Sequence, residues 1–231
     1  VTGSPGTEGG SIRGGRRSAA LVALLAGVSY LPLLLTRPGQ VVADTKQYLI
    51  LDPGGVLGAS RSLWDPDWAL GTVTHQSIGY LWPMGPFFWA GRSLGLPMWV
   101  VQRLWLGSLL FGAATGFLWL AGILGARTTT LPAGPGKGEG TDPSDRVRAD
   151  GPVLVGALFY ALSPYALSYS SRISVLLLAW AALPWLVGLG VLASRRGGWR
   201  YPALLGLVAM SVGSVNASSL FYAGLGVILW F

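Results

Sequence analysis

The chain has 231 residues, of which 52% are hydrophobic and only 11% charged, about half the charged fraction of a soluble domain. That balance excludes a soluble globular protein and points to helices that cross a bilayer. The formal net charge of +7 raises nucleic acid as a partner, but the arginines flank apolar runs and build no basic face interleaved with aromatics, so no nucleic acid is expected. Cysteine is absent, which removes disulfides and thiolate metal sites and leaves the redox compartment open.

Val1 to Ser18 is rich in Gly, Ser and Arg and is expected to be a disordered cytoplasmic N-terminus. Arg13, Arg16 and Arg17 precede the apolar run Ala19–Leu35. That layout suits a first spanning helix acting as a signal anchor; a cleaved signal peptide is the alternative, but no small-residue cleavage site stands before Pro38. A polar island, residues 37–97, follows. It holds the single His and four of the nine acidic residues. The second span is Met98–Leu124. Gly107, Gly112 and Gly116 within it suggest close helix packing, the last two at small-xxx-small spacing. Residues 125–151, full of Gly, Pro, Asp and Arg, read as a flexible cytoplasmic loop.

A third span starts at Pro152 and runs toward Tyr169 through Ser163-Pro164. Pro164 should kink or end it, because proline removes a backbone donor and clashes with the preceding turn. Ile173–Ala193 is a fourth span, closed by the basic turn Ser194–Arg200. A fifth extends from Tyr201-Pro202 to about Val215, and Leu220–Phe231 opens a sixth. The expected architecture is an all-α polytopic bundle of about six spans, with residues 19–231 forming one transmembrane domain. Val1 and the apolar finish at Phe231 suggest the N-terminal piece of a longer protein. Arg13, Arg16 and Arg17, then Arg127, Arg146 and Arg148, then Arg195, Arg196 and Arg200 fall on one side of alternating spans. The positive-inside rule makes that side cytoplasmic and puts the island outside.

The island carries the chemistry. Asp44 lies a few residues past the first span, where a carboxylate can act as general base on a sugar hydroxyl. Asp44-Thr45-Lys46-Gln47 equally has the spacing of a capping box for a short interfacial helix, Thr45–Leu51, ended by Pro53. Lys46 is a candidate for binding a phosphate, or else an interfacial anchor. Asp52-Pro53-Gly54-Gly55 reads as a turn. Asp65 and Asp67 are turn residues among interfacial tryptophans or, less specifically, ligands for a divalent cation. His75 has no second His or Cys partner for zinc; it suits a phosphate, a sugar or a loop carbonyl. Trp64, Trp68, Tyr80, Trp82, Phe87, Phe88 and Trp89 either stack on sugar rings or form an interfacial belt. Arg92, Arg103 and Arg172 lie on the outer side against the positive-inside trend. Arg103 stands out, since charge inside a span is costly unless paired or wet. No phosphate-cradling loop or dinucleotide fingerprint is present, so no nucleotide cofactor is expected.

Val42-Ala43-Asp44-Thr45-Lys46, Asp52-Pro53, Trp64-Asp65-Pro66, and Gly71-Thr72-Val73-Thr74-His75-Gln76 through Trp82-Pro83-Met84-Gly85-Pro86 together resemble the N-terminal region of the actinobacterial α-(1→3)-arabinofuranosyltransferase D family. The resemblance covers Ala19 to Trp119 well and extends more loosely to the end. It implies a GT-C class membrane glycosyltransferase that transfers arabinofuranose from a polyprenyl-phosphate donor to a cell-envelope arabinan acceptor, at the exterior face of the plasma membrane. In that class a catalytic Asp sits in the first exterior loop, and Asp44 holds the matching place. Lys46, His75, Gln76, Trp82, Arg103 and Arg172 become the candidate substrate-binding residues, with a divalent cation left open. Family members are much larger, with carbohydrate-binding domains after the membrane part. The competing function is a transporter or lipid-sugar flippase, which needs broken or polar helices at mid-membrane.

Overall fold

The computed structural model describes residues 8–44, 47–66, 69–73, 81–125, 151–213 and 217–229. The chain begins with α1 (Glu8–Leu35). This helix starts inside the stretch expected to be disordered, because once an apolar segment is helical each added residue gains a hydrogen bond without a new nucleus. Two long helices organise the rest: α5 (Met98–Leu124) and α8 (Leu176–Arg196). Between α1 and α5 lie α2 (Gln47–Leu51), α3 (Pro53–Ala59), the two-residue strands β1 (Trp64–Asp65) and β2 (Thr72–Val73), and α4 (Met84–Ser93). Between α5 and α8 lie α6 (Gly151–Ala161) and α7 (Pro164–Ser170), and α9 (Arg200–Gly213) and α10 (Ala217–Ile228) close the chain.

Several boundaries follow from local chemistry. Pro97 precedes α5, and Gly125 ends it at φ 72°, a left-handed conformation that glycine adopts without a Cβ clash. Pro164 ends the apolar helix as expected: α6 stops at Ala161, and Ser163 caps α7 by accepting from the amide of Ala166, with Pro164 in the first turn.

Among the described residues, three helical stretches are long and apolar enough to cross a membrane: Met98–Leu124, Gly151–Ser170 and Leu176–Arg196. This corrects the expectation of six. The apolar part of α1, Ala19–Leu35, is shorter, and α9 and α10 have 14 and 12 residues. At 1.5 Å per residue those two extend about 21 and 18 Å, against roughly 30 Å of hydrocarbon. Exposed apolar side chains such as Leu207 and Met210 of α9 and Phe221 of α10 nevertheless cover their outer faces, as lipid contact requires.

Helix α5 packs on α1, α6 and α8, and α8 packs in turn on α9 and α10. The glycines of α5 do allow close approach, but as notches for aromatic rings rather than as a backbone-to-backbone seam. A Cβ at Gly107 would lie 2.2 Å from the Tyr30 ring, and one at Gly116 would lie 2.5 Å from the Trp185 indole nitrogen. Trp119 fills the reciprocal notch at Gly188. The Trp119 and Trp185 rings stack with centroids 5.1 Å apart, and the Trp185 Nε1–H donates to the Gly112 carbonyl at 2.9 Å. In a bilayer, where apolar burial between helices drives little, such packing and hydrogen bonding carry the association.

The island is more built than a loop with one interfacial helix. The strands pair antiparallel, Trp64 opposite Val73 and Asp65 opposite Thr72. Asp52-Pro53 starts a second helix instead of a turn: the Asp52 Oδ1 accepts from the Gly55 amide at 3.0 Å, and Pro53 occupies the first turn of α3. Leu49, Ile50, Met84 and Phe88 are buried in the same cluster as Val101, Trp105, Leu106 and Leu177. Phe87 packs against Trp105 at 5.3 Å, and Arg92 Nη1 donates to the Leu51 carbonyl. Burying a side chain such as Phe88 contributes about 1.5–3 kcal/mol, so the island is docked on the N-terminal ends of α5 and α8 as one body with the bundle.

Candidate active site

The site is assembled from the exit of α1, the entry of α5 and the entry of α8. After Leu35 the chain reverses through residues 36–39, where Arg37 and Gly39 have positive φ of 40° and 80°. The Thr36 hydroxyl donates to the Pro32 carbonyl at 2.6 Å and the Gln40 amide to the Arg37 carbonyl at 3.3 Å. Residues 40–44 then run without regular structure beside the first turns of α5. Gln102 clamps this segment: its Nε2 donates to the Val42 carbonyl at 2.9 Å while its Oε1 accepts from the Val42 amide at 2.8 Å. The side chain thereby imitates the neighbour that a strand would offer. Arg103 adds Nη2 to the Gln40 carbonyl at 3.2 Å and Nη1 to Gln102 Oε1 at 3.3 Å.

This clamp delivers Asp44 to the entry of α8. Asp44 is 8% exposed, and its Oδ2 accepts from the Ser174 hydroxyl at 2.5 Å and from the Ser174 amide at 3.3 Å. The shorter contact falls within the usual range of a hydroxyl on a carboxylate. Ser174 belongs to the turn that opens α8, since its own carbonyl accepts from the Leu177 amide at 3.0 Å. A helix start carries unsatisfied amides and a partial positive charge, so an anionic group is favoured there. The capping box considered for Asp44 at the start of the helix Thr45–Leu51 falls on residues 45 and 46, which lie outside the described residues.

Arg103 is 3% exposed, and its partners are neutral oxygens. Its Nε has no hydrogen-bond acceptor among the described residues. A buried guanidinium without a carboxylate is costly and would be relieved by an anion. Arg172 is exposed, two residues before Ser174. Of the two candidate cations, Arg103 is thus buried against residues 40–44, whereas Arg172 is exposed on the segment that leads to Ser174. Trp82 is half-exposed, and its Nε1–H donates to the Ser211 hydroxyl of α9 at 3.1 Å. Lys46, His75 and Gln76 lie outside the described residues, as do Asp67, Trp68 and Tyr80. Phe88 belongs to the core, whereas Trp64 and Trp89 are half-exposed. Among the described residues, no three His, Cys, Asp or Glu side chains converge to hold a metal ion.

Residues 28–133 match the family described as α-(1→3)-arabinofuranosyltransferase, N-terminal GT-C domain. The α-(1→3)-arabinofuranosyltransferase of Mycobacterium tuberculosis is 35% identical over 197 residues, and that of Mycolicibacterium smegmatis is 34% identical over the same length. Each alignment covers 84% of this chain. The cryo-EM structure of arabinofuranosyltransferase AftD from Mycobacteria superposes with a TM-score of 0.77 at 30% identity, over 91% of this chain. The chain belongs to the arabinofuranosyltransferase family. It spans 13% and 12% of the two curated relatives and 15% of the mycobacterial structure, so what it shares with the family is the N-terminal GT-C part. The family match begins in α1 and includes both the Asp44 segment and the Gln102–Arg103 clamp.

The sequence singled out Asp44 and Arg103 as candidates, which the structure brings to one place, but not Ser174 or the clamping contacts of Gln102. A signal for Ser174 was present. It is a lone hydroxyl between Ile173 and Val175 at the start of an apolar run, and a buried hydroxyl requires a partner.

Proposed function

We propose that this chain is the membrane-embedded catalytic part of a glycosyltransferase. It transfers arabinofuranose from a polyprenyl-phosphate donor to a cell-envelope arabinan acceptor, at the exterior face of the plasma membrane. Asp44 is the general base. It takes the proton of the acceptor hydroxyl while that oxygen forms its bond to the anomeric carbon. The bond from that carbon to the donor's phosphate oxygen breaks, and the lipid phosphate leaves with the electron pair. Arg103 supplies buried positive charge for the developing phosphate. Arg172 at the rim, with Lys46, His75 and Gln76 of the island, is assigned to donor and acceptor binding, and half-exposed Trp82 offers a ring face for a sugar.

The observation that carries this reading is the placement of Asp44: a buried carboxylate just beyond the first helix, bound by Ser174 at the entry of α8 and held through Val42 by Gln102 of α5. It is supported by where the buried polar groups lie. Of the five buried polar or charged residues among the described residues, Asp44, Gln102, Arg103 and Ser174 gather at one end of α5 and α8, apart from Ser29. A transporter would concentrate such groups at mid-membrane. The exterior placement rests on the arginine clusters that the sequence puts on the other side of the spans, of which Arg195, Arg196 and Arg200 stand at the C-terminal end of α8 and the start of α9. On this reading α1, α9 and α10 complete the membrane bundle around the three longer spans.

The test is Asp44→Asn in the intact protein, assayed in membranes with labelled polyprenyl-phosphate arabinose and an arabinan acceptor. Asparagine keeps an acceptor oxygen for Ser174 and is a good cap, so a purely structural Asp44 predicts near-normal transfer. A general base predicts a loss of about 10²–10⁴-fold at unchanged protein level. Retention of most activity would refute the assignment.

A further inference from the structure

We propose that Ser174 is a positioning residue that sets the orientation of the Asp44 carboxylate before substrate arrives. The proposal rests on the reading of Asp44 as the base. Ser174 is 1% exposed, and both its hydroxyl and its amide donate to the same oxygen, Oδ2, at 2.5 and 3.3 Å. Two donors from one residue, converging on one oxygen, resist rotation of the carboxylate plane in a way that a single bond does not.

The support behind Ser174 is rigid. Ser174 lies in two overlapping turns, Leu176 to Ile173 at 3.2 Å and Leu177 to Ser174 at 3.0 Å, and a third, Leu178 to Val175 at 3.2 Å, follows directly. Val175 and Leu177, which follow it, are buried at 2% and 1% exposure in the same cluster as Trp105 and Ala166, and Ile173 before it packs against that cluster. The serine therefore cannot swing away without disturbing the core. From the other side, the Gln102 clamp fixes the backbone two residues before Asp44. The carboxylate is thus held at its backbone by α5 and at its oxygen by α8. Such support is what a reacting group requires, because misplacement of a fraction of an ångström at the base lowers the rate of the chemical step without weakening substrate binding.

The experiment uses the intact protein in membranes, with kcat and donor KM measured separately and protein level quantified for each variant. Ser174→Ala is expected to lower kcat roughly 10- to 100-fold, the loss expected for one hydrogen bond to a charged group, with donor KM unchanged. Ser174→Thr, which keeps the hydroxyl, is expected to recover most of that loss. The double variant Asp44→Asn/Ser174→Ala is expected to be no slower than Asp44→Asn alone, because both act on one unit. An inactive Asp44→Asn beside a Ser174→Ala with normal kcat overturns this proposal and leaves the base assignment standing. A Ser174→Thr no better than Ser174→Ala at equal protein level also overturns it, as does a double variant markedly slower than Asp44→Asn. An active Asp44→Asn overturns both readings and identifies the base assignment as the fault.

Discussion

Replacing Gln102 with Leu separates the clamp from the helix that carries it. Leucine has a similar volume and a good helix propensity, so α5 itself should persist. What disappears is the pair of bonds to Val42, at 2.8 and 2.9 Å, and the acceptor for Arg103 Nη1 at 3.3 Å. A neutral hydrogen bond contributes about 0.5–1.5 kcal/mol net, and a buried group left unsatisfied costs about 1–3 kcal/mol. Val42 is only half-buried, so water can rescue part of its loss, and the local penalty comes to about 2–4 kcal/mol. Since about 1.4 kcal/mol is a factor of ten, the amides of residues 40–44 should exchange with deuterium roughly 30- to 1000-fold faster. Hydrogen exchange read by mass spectrometry on a peptide covering that segment measures this directly. Gln102→Glu keeps the acceptor and should show a smaller acceleration. Unchanged exchange across 40–44 in Gln102→Leu, with α5 intact, would show that the clamp does not hold the segment and that the support argued for Asp44 is misplaced.

Other consequences are equally specific. Gly107→Ala puts a methyl group against the Tyr30 ring, 2.2 Å away, and should lower thermal stability in detergent by about 1–3 kcal/mol; Gly112→Ala meets nothing within 4 Å and should be neutral or stabilising by up to about 1 kcal/mol. Equal effects at the two positions would disprove the notch packing. Arg103→Met removes a buried charge whose partners are neutral oxygens, so the melting temperature should hold or rise while transfer falls; a large loss of stability with normal specific activity would make the arginine structural. A cysteine at Ser60, on the exposed end of α3, should react with an impermeant thiol reagent on intact cells, whereas one at Ser144 should not; the reverse pattern would invert the orientation.

The membrane class, the helix Met98–Leu124 and the break at Pro164 were legible in the sequence because their causes are local. A run of apolar residues has nowhere to go but lipid or core. Pro97 and Gly125 bracket α5, and a proline cannot continue a helix. Asp44 was legible as a candidate because its position after the first apolar run and the surrounding motif both pointed to it. The count of spans was not, since α9, an apolar helix of 14 residues, still packs on α8 although it is shorter than the three stretches long and apolar enough to cross. Nor was the second island helix, where Asp52-Pro53 serves a turn or a helix start equally well by local rules. The chemistry around Asp44 was decided only by tertiary structure. Its hydrogen-bond donor comes from Ser174, and its supporting clamp comes from Gln102 acting on Val42, 60 residues away. No periodicity or spacing encodes such pairs. They follow from α5 and α8 packing through aromatic rings seated on glycines, which sets where the two helix entries meet the chain leaving α1.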